Sequence, residues 1–255
     1  MSAESGRFVW FDLMTADVQG AKSFYAEIAG WKTTKWSGGD YEIWTAGDKQ
    51  VGGVMAPRPE VRKTDSPPHW TAYIATDDVD QCVQRAQRLG GRVCVPSEDI
   101  PDAGRFAVLS DPQGAAFAVF KSSTPQAAPD TKALGGFGWS ELNTTDWKSA
   151  WKFYSELFGW KNTSTMDMGP EFGEYFMFGT DAKNAMGGMS NAAKMMKAPA
   201  HWLHYVNIKS TDEAAKKIAA KGGKVLNGPM DVPGGGRIAQ CIDPQGAMFA
   251  IFSMQ

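Results

Sequence analysis

The sequence predicts an α+β fold made by tandem duplication: four βαβββ units, two in each half, forming two curved mixed sheets with helices on their outer faces. Three observations predict it. The chain of 255 residues repeats itself in order, each repeat alternates between strand and helix spacing, and one short stretch rich in Pro, Ser and Ala has no counterpart. Internal repeats decide the architecture before any local feature does, so they come first. FVWFDLMTAD, ending at Asp17, matches FGWSELNTTD, ending at Asp146, and the segments that follow close in FYAEIAGWK and FYSELFGWK. Gly52-Gly53 then matches Gly187-Gly188, PPHWTAYI matches APAHWLHYV, and GRFAVLSDPQGAAFAVF matches GRIAQCIDPQGAMFAIF. The boundaries follow as a first domain over 1–124, a polar linker over 125–134 and a second domain over 135–255.

Each half reads as the same run of elements taken twice. An apolar strand over 8–14 leads to Asp17, a side chain suited to an N-cap, after which Ala21, Phe24, Tyr25 and Ile28 recur at helical spacing until Gly30 supplies the stop. Strands are expected around 41–46 and 51–55. After Pro67-Pro68 the order restarts with a strand over 69–75 and a helix over 79–89 that places Val79, Cys82, Val83, Ala86 and Leu89 on one face. Gly90-Gly91 ends it, and Asp111-Pro112-Gln113-Gly114 forms the turn before the last strand.

Composition narrows the function classes. A formal charge of −2 with no basic run gives no footprint for nucleic acid or an anionic membrane surface. No apolar stretch nears the ~20 residues needed to cross a bilayer, and MSAESGRF lacks the apolar core of a signal peptide, so a cytoplasmic protein is expected, as monomer or homodimer. Cys82, Cys94 and Cys241 align with Ala214, Leu226 and Leu109 of the opposite half, which marks them as small core residues and not as a disulfide framework.

Helices closing in FYxxxxGW and DPxG turns before the last strands, recurring in both halves, resemble the vicinal oxygen chelate superfamily: glyoxalase I, bleomycin-resistance proteins and extradiol dioxygenases. HW…Y and GR…DPQGA are similar to the two-domain actinobacterial antigens and "hydroxylases" of that superfamily. The resemblance implies a cleft on the concave face of each sheet. In metal-using members it also implies ligands on the first and last strands of a unit. Those positions carry Trp10, Trp139, Ala118 and Ala250 here, and the first strands of the second units carry Thr71 and Leu203. None is a donor for a divalent metal, so no metal and no cofactor is expected.

Strand alternation, taking the metal position as inward, lists the residues expected to line the clefts. The first half gives Phe8, Trp10, Asp12 and Met14, with His69, Thr71 and Tyr73. The second gives Trp139, Glu141 and Asn143, with His201, Leu203, Tyr205 and Asn207. Trp10 and Trp139 either stack a planar or cationic ligand or plug the vacated metal position. Trp31/Trp160 and Trp70/Trp202 read as core or interface anchors. Asp12 and Glu141 are expected to pair structurally with Arg105 and Arg237, the alternative being a functional acid or base. His69 and His201 read as structural, with general base or ligand as the alternative, and His204 as incidental. The glycine pairs mark close backbone approach and not a phosphate loop.

The function expected is metal-independent binding of a small aromatic or cationic organic molecule. The alternative is a glyoxalase-type lyase or isomerase acting on a small oxygenated metabolite, with Glu141 or His201 as base. The second half, with two asparagines where the first has Met14 and Ala75, is the expected working site.

Overall fold

A computed structural model describes residues 5–57, 67–124 and 130–254. Of the expected linker, residues 125–129 lie outside the described residues. The first half runs β1 (Phe8–Met14), α1 (Val18–Ala29), β2 (Lys32–Lys35), β3 (Glu42–Ala46), β4 (Lys49–Met55), β5 (His69–Ala75), α2 (Val79–Arg88), β6 (Arg92–Ile100), β7 (Gly104–Ser110) and β8 (Ala116–Ser122). The second half repeats this order as β9 (Phe137–Asn143), α3 (Trp147–Phe158), β10 (Lys161–Asp167), β11 (Glu174–Gly179), β12 (Gly187–Ser190), β13 (His201–Asn207), α6 (Thr211–Ala220), β14 (Lys224–Val232), β15 (Gly236–Ile242) and β16 (Met248–Met254). Two short helices that periodicity does not predict, α4 (Gly169–Phe172) and α5 (Ala192–Met196), lie in its connections.

Each half forms one mixed eight-stranded sheet, and the strand orders correspond: β2-β3-β4-β1-β5-β8-β7-β6 and β10-β11-β12-β9-β13-β16-β15-β14. The helices begin and end on the residues the sequence marks. Asp17 accepts from Gly20 N at 2.8 Å, and Asp146 accepts from Lys148 N and Ser149 N, each satisfying amides that the first turn leaves open. Gly30 and Gly159 stop α1 and α3 at φ 71° and 73°, a left-handed conformation that a Cβ would strain. Among the described residues no helix is long and apolar enough to cross a membrane.

Compactness divides the chain differently from the repeat. Among the described residues, one unit comprises 5–9, 72–124 and 139–202; the other comprises 10–57, 67–71, 130–138 and 203–254. Each therefore joins the first βαβββ of one half to the second βαβββ of the other, and the recurring motifs show why. Tyr25, from FYxxxxGW in the first half, donates to Asp243 Oδ2 in the DPQG turn of the second at 3.0 Å, and accepts from Trp70 Nε1 at 3.0 Å. Tyr154 donates to Asp111 Oδ2 of the first half at 3.2 Å and accepts from Trp202 Nε1 at 3.1 Å. Both phenols are fully buried, and burial pushes them well above the usual tyrosine range while raising the two aspartates. Each carboxylate also accepts backbone N–H groups of its own turn, from Gln113 and Ala115 or from Gln245, Gly246 and Ala247. Motifs far apart in the chain are thus one Trp→Tyr→Asp relay.

The paired tryptophans resolve as core. Trp160 stacks on Phe178 at 4.3 Å and on Tyr154 at 5.3 Å, and Trp31 stacks on Tyr25 at 5.4 Å. Their indole N–H groups reach backbone of the opposite half, Trp31 to Gly135 O at 2.7 Å and Trp160 to Gly6 O at 2.8 Å. Phe8, expected in a cleft, instead packs edge-on against Trp202 at 5.5 Å and beside Trp160. It closes the core because the chain just before β1 is held by Trp160.

Candidate functional site

Trp10 and Asp12 lie two residues apart on β1 and so share a face, as do Trp139 and Glu141 on β9. The neighbouring strands contribute glycine opposite each carboxylate: Gly53 pairs with Asp12 and Gly188 with Glu141. A Cβ at Gly53 would overlap Tyr41, and one at Gly188 would overlap Tyr175, so each glycine is the gap through which a phenol crosses from the next strand to the carboxylate. A Cβ at Gly52 or Gly187 would strike the backbone oxygen of Phe11 or Ser140. The close approach expected of both glycine pairs is therefore present, with a distinct reason for each member.

The phenols complete a second relay in each half. Tyr41 Oη donates to Asp12 Oδ1 at 2.6 Å, and Trp10 Nε1 donates to Tyr41 Oη at 2.7 Å and to Asp12 Oδ1 at 2.9 Å. Tyr175 Oη donates to Glu141 Oε2 at 3.0 Å, and Trp139 Nε1 donates to Tyr175 Oη at 2.8 Å. Asp12 is 8% exposed and Glu141 9%, whereas Trp10 and Trp139 are only half-buried. Every donor in the chain points toward the carboxylate, the arrangement that suits its ionised form, since an ionised carboxylate can only accept. Each indole is thereby held in one orientation with part of its surface open.

The expected Arg partners are a correction. Arg105 binds Asp80, in the first turn of α2, at 3.1 Å and Asp99 at 2.9 Å; Arg237 binds Asp212 at 2.7 Å and Asp231 at 2.7 Å. Strand register places Asp99 directly opposite Arg105 and Asp231 opposite Arg237, so each guanidinium finds two carboxylates at the helix side of its own sheet edge. Tyrosine, not arginine, partners Asp12 and Glu141. Sequence reading missed Tyr41 and Tyr175, although they occupy one repeat position, three residues before Trp44 and Phe178.

The other expected site residues divide. His69 and His201 each set Nδ1 against a proline carbonyl two residues earlier, Pro67 O at 2.8 Å and Pro199 O at 2.9 Å. Tyr73 is buried beside Phe106 and Phe120, and Tyr205 Oη accepts from Gln240 Nε2 at 3.2 Å. Asn143 is buried at the end of β9, opposite Ser190. Asn207 is buried with its amide donating to Thr131 O at 2.8 Å and Ala133 O at 3.2 Å. That amide fastens the end of the linker and is not presented to a ligand. His204, expected to be incidental, is buried with its ring edge-on to Phe11 at 5.1 Å.

A divalent metal of the kind the fold can hold needs three or four N, O or S donors. Ala118 and Ala250 are wholly buried, paired in register with Tyr73 and Tyr205. Trp10 and Trp139 offer only N–H donors already directed to tyrosine. Among the described residues no group of three His, Cys, Asp or Glu side chains is placed to hold an ion. The residues present at the ligand positions do not fit the metal.

Comparison with known proteins agrees with the fold. Residues 136–251 match the family model described as Glyoxalase/Bleomycin resistance protein/Dioxygenase superfamily, and residues 8–120 match Glyoxalase-like domain. CFP32 of Mycobacterium tuberculosis (strain CDC 1551 / Oshkosh), provisionally named a glyoxylase, is 35% identical over 246 residues, spanning 95% of this chain and 92% of that protein. The anthracycline biosynthesis protein DnrV of Streptomyces peucetius is 31% identical over 273 residues, spanning 98% and 94%. Among solved structures, the Mn(II)-bound glyoxalase from Novosphingobium aromaticivorans superposes with a TM-score of 0.68 at 14% identity, over 98% of this chain and 82% of that one. The 2,3-dioxygenase LapB from Pseudomonas sp. KL28 gives 0.67 at 13% identity, over 98% and 93%.

Proposed function

Because the chain belongs to the glyoxalase/bleomycin resistance protein/dioxygenase superfamily, a fold that does not by itself fix a chemistry, we propose that it is a metal-independent binding protein for a small planar aromatic or cationic organic molecule. The observation that carries this reading is the oriented, half-open indole at the metal position of each half, locked by tyrosine and backed by a buried carboxylate. A fixed aromatic face binds a flat ring at little entropic cost, and a carboxylate behind it favours positive charge on the ligand. The name of DnrV connects that relative to anthracyclines, which are flat fused-ring molecules, and this supports an aromatic ligand here. Free cysteines and the small negative charge support a cytoplasmic setting without nucleic acid as partner.

The test is tryptophan fluorescence titration with proflavine, a planar aromatic cation, before and after exhaustive EDTA treatment. Saturable quenching that survives EDTA and falls about tenfold in affinity in Trp139→Ala is expected, the loss matching one aromatic stacking contact. Binding that appears only after Mn²⁺ is added would overturn the metal-independent reading. The buried Glu141, held by Tyr175, favours one second reading, a lyase or isomerase in which Glu141 removes a proton from an oxygenated substrate. Turnover of a hemithioacetal by the EDTA-treated protein, lost in Glu141→Gln, would favour it.

A further inference from the structure

The crossed make-up of the two compact units gives each indole of the relays a different companion wall. Trp10 and Asp12 share a unit with most of β13 and with β14–β16, whereas Trp139 and Glu141 share one with the latter part of β5 and with β6–β8. Across the first of these walls runs a row of four residues in register: Tyr205 opposite Ala250, Ala250 opposite Gln240, and Gln240 opposite Asn227. Residues in register share a face of the sheet, and Ala250, small and wholly buried, leaves the room over which its two neighbours meet. Gln240 Nε2 donates to Tyr205 Oη at 3.2 Å, and Asn227 Nδ2 donates to Gln240 Oε1 at 3.4 Å. The corresponding row of the other wall is Tyr73, Ala118, Val108 and Val95. The register repeats, but valines stand where the carboxamides do, and a valine side chain neither donates nor accepts.

Which face the row occupies follows from its neighbours. His204 lies beside Tyr205 on β13 and therefore on the opposite face, where it is buried edge-on to Phe11, the neighbour of Trp10 on β1. Phe11 and His204 mark the core side of both strands, which leaves Trp10, Asp12 and the Tyr205 row on the other side. Gln240 is half-buried there and Asn227 is exposed, so the row is reachable from solvent. The matching positions of the repeat carry the same assignment to Trp139 and the valine row.

We propose that the two units discriminate differently among planar ligands and that Gln240 makes the difference: the Trp10 face selects a flat ring with N–H or O–H groups at its edge, and the Trp139 face is indifferent to them. The assignment rests on the planar-ligand reading above. A carboxamide carries two N–H donors and an oxygen with two lone pairs, and the Asn227 bond to that oxygen is long and exposed, so an N–H or O–H on a ligand's edge can join or replace it. Valine at the same point only fills space. A site built to pair a polar group rejects the analogue lacking that group more strongly than an apolar site rejects a change of shape.

The experiment is equilibrium dialysis of the intact protein against proflavine and against acridine orange, flat cations of one ring system whose edge nitrogens carry N–H groups in the first and methyl groups in the second. Proflavine should fill two classes of site about tenfold apart in affinity, the worth of one hydrogen bond, and acridine orange two sites within about threefold of each other. Trp10→Ala should remove the tighter proflavine class, and the loss described above for Trp139→Ala should fall on the weaker one. Gln240→Val, the residue of the other half, and Gln240→Met, which keeps the length of the side chain, should each merge the two classes, while Val108→Gln should tighten the weaker. A single class of proflavine sites in the wild type, a tighter class that is lost in Trp139→Ala and not in Trp10→Ala, or two classes that persist in folded Gln240→Val and Gln240→Met would overturn the assignment and leave the planar-ligand reading standing. Failure of both dyes to bind the wild type would overturn that reading and the assignment with it.

Discussion

The exchange of tyrosines between the halves can be tested with Tyr25→Phe. This change removes one oxygen from a fully buried ring without altering its packing, and that oxygen accepts from Trp70 Nε1 and donates to Asp243 Oδ2, each at 3.0 Å. Asp243 keeps three backbone donors, so its share of the loss is one hydrogen bond to a charged group, about 1.5 kcal/mol. Trp70 keeps an indole N–H in a buried place without its acceptor, about 1 to 2 kcal/mol more. The sum, about 3 kcal/mol, corresponds to a fall in Tm of about 6 to 12 °C for a chain of this size. Urea unfolding of Tyr25→Phe, Asp243→Asn, Asp111→Asn and the double variants then apportions it. Tyr25→Phe should couple to Asp243→Asn by about 1 kcal/mol or more and add to Asp111→Asn within about 0.5 kcal/mol. Coupling to Asp111, in the same half as Tyr25, and additivity with Asp243 would refute the exchange and return each relay to its own half.

Gly188→Ala should displace Tyr175, at a cost of about 1 to 3 kcal/mol for the forced overlap, and free Trp139, seen as red-shifted and more quenchable tryptophan emission. An unchanged spectrum in a folded variant would show that the phenol does not cross there. Burial pushes the Cys82 thiol up to about 11 and the Cys241 thiol up to about 12, whereas Cys94 is exposed. A chromogenic disulfide at pH 8 should therefore titrate one thiol promptly in the native protein and three in urea; three at one rate in the native state would contradict the packing. Lys22 holds the Glu42 carboxyl below its ordinary range through a contact of 2.6 Å. The folded pKa is below the unfolded one, so this contribution, at most about 1 kcal/mol, is full above the ordinary glutamate pKa near 4.5 and is lost as pH falls through the depressed value. Glu42→Gln should flatten that acid limb of the stability curve, and an unaltered limb would remove the pair from the account.

What the sequence made legible, and what it hid, follows from how far each interaction reaches. Helix starts at Asp17 and Asp146, stops at Gly30 and Gly159, and the apolar stripe of Ala21, Phe24, Tyr25 and Ile28 are local, and periodicity finds them. The glycine pairs announced a close approach but not what approaches, because Tyr41 and Tyr175 arrive from a neighbouring strand. Arg105 was expected on Asp12 because both recur in the repeat; strand register gave it Asp99 and α2 gave it Asp80, neither of which repeat matching weighs. The exchange itself could not be read at all. Tyr25 is offered two equivalent DPQG turns, and a duplicated motif is silent about which copy it meets. Repeat comparison does pay attention to paired change, however: Lys22 and Glu42 form an ion pair where the second half has Trp151 against Phe176 at 4.7 Å, one contact rewritten in another chemistry.

The partner of Tyr25 lies 218 residues further along the chain. At a synthesis rate of about 5 to 20 residues per second, the first helix emerges from the ribosome some ten to forty seconds before the turn that completes its core. During that interval Tyr25, Trp31 and Trp70 have no native cover from the C-terminal strands, and the nascent first half must wait with aromatic surface exposed. A chain cut short before Asp243 would leave the unit that holds Tyr25 incomplete, since it joins residues 10–57 to residues 203–254. Quality control of such a protein therefore turns on strands made well after the helix they cover, and damage to β13–β16 would be felt in the aromatic core around Tyr25.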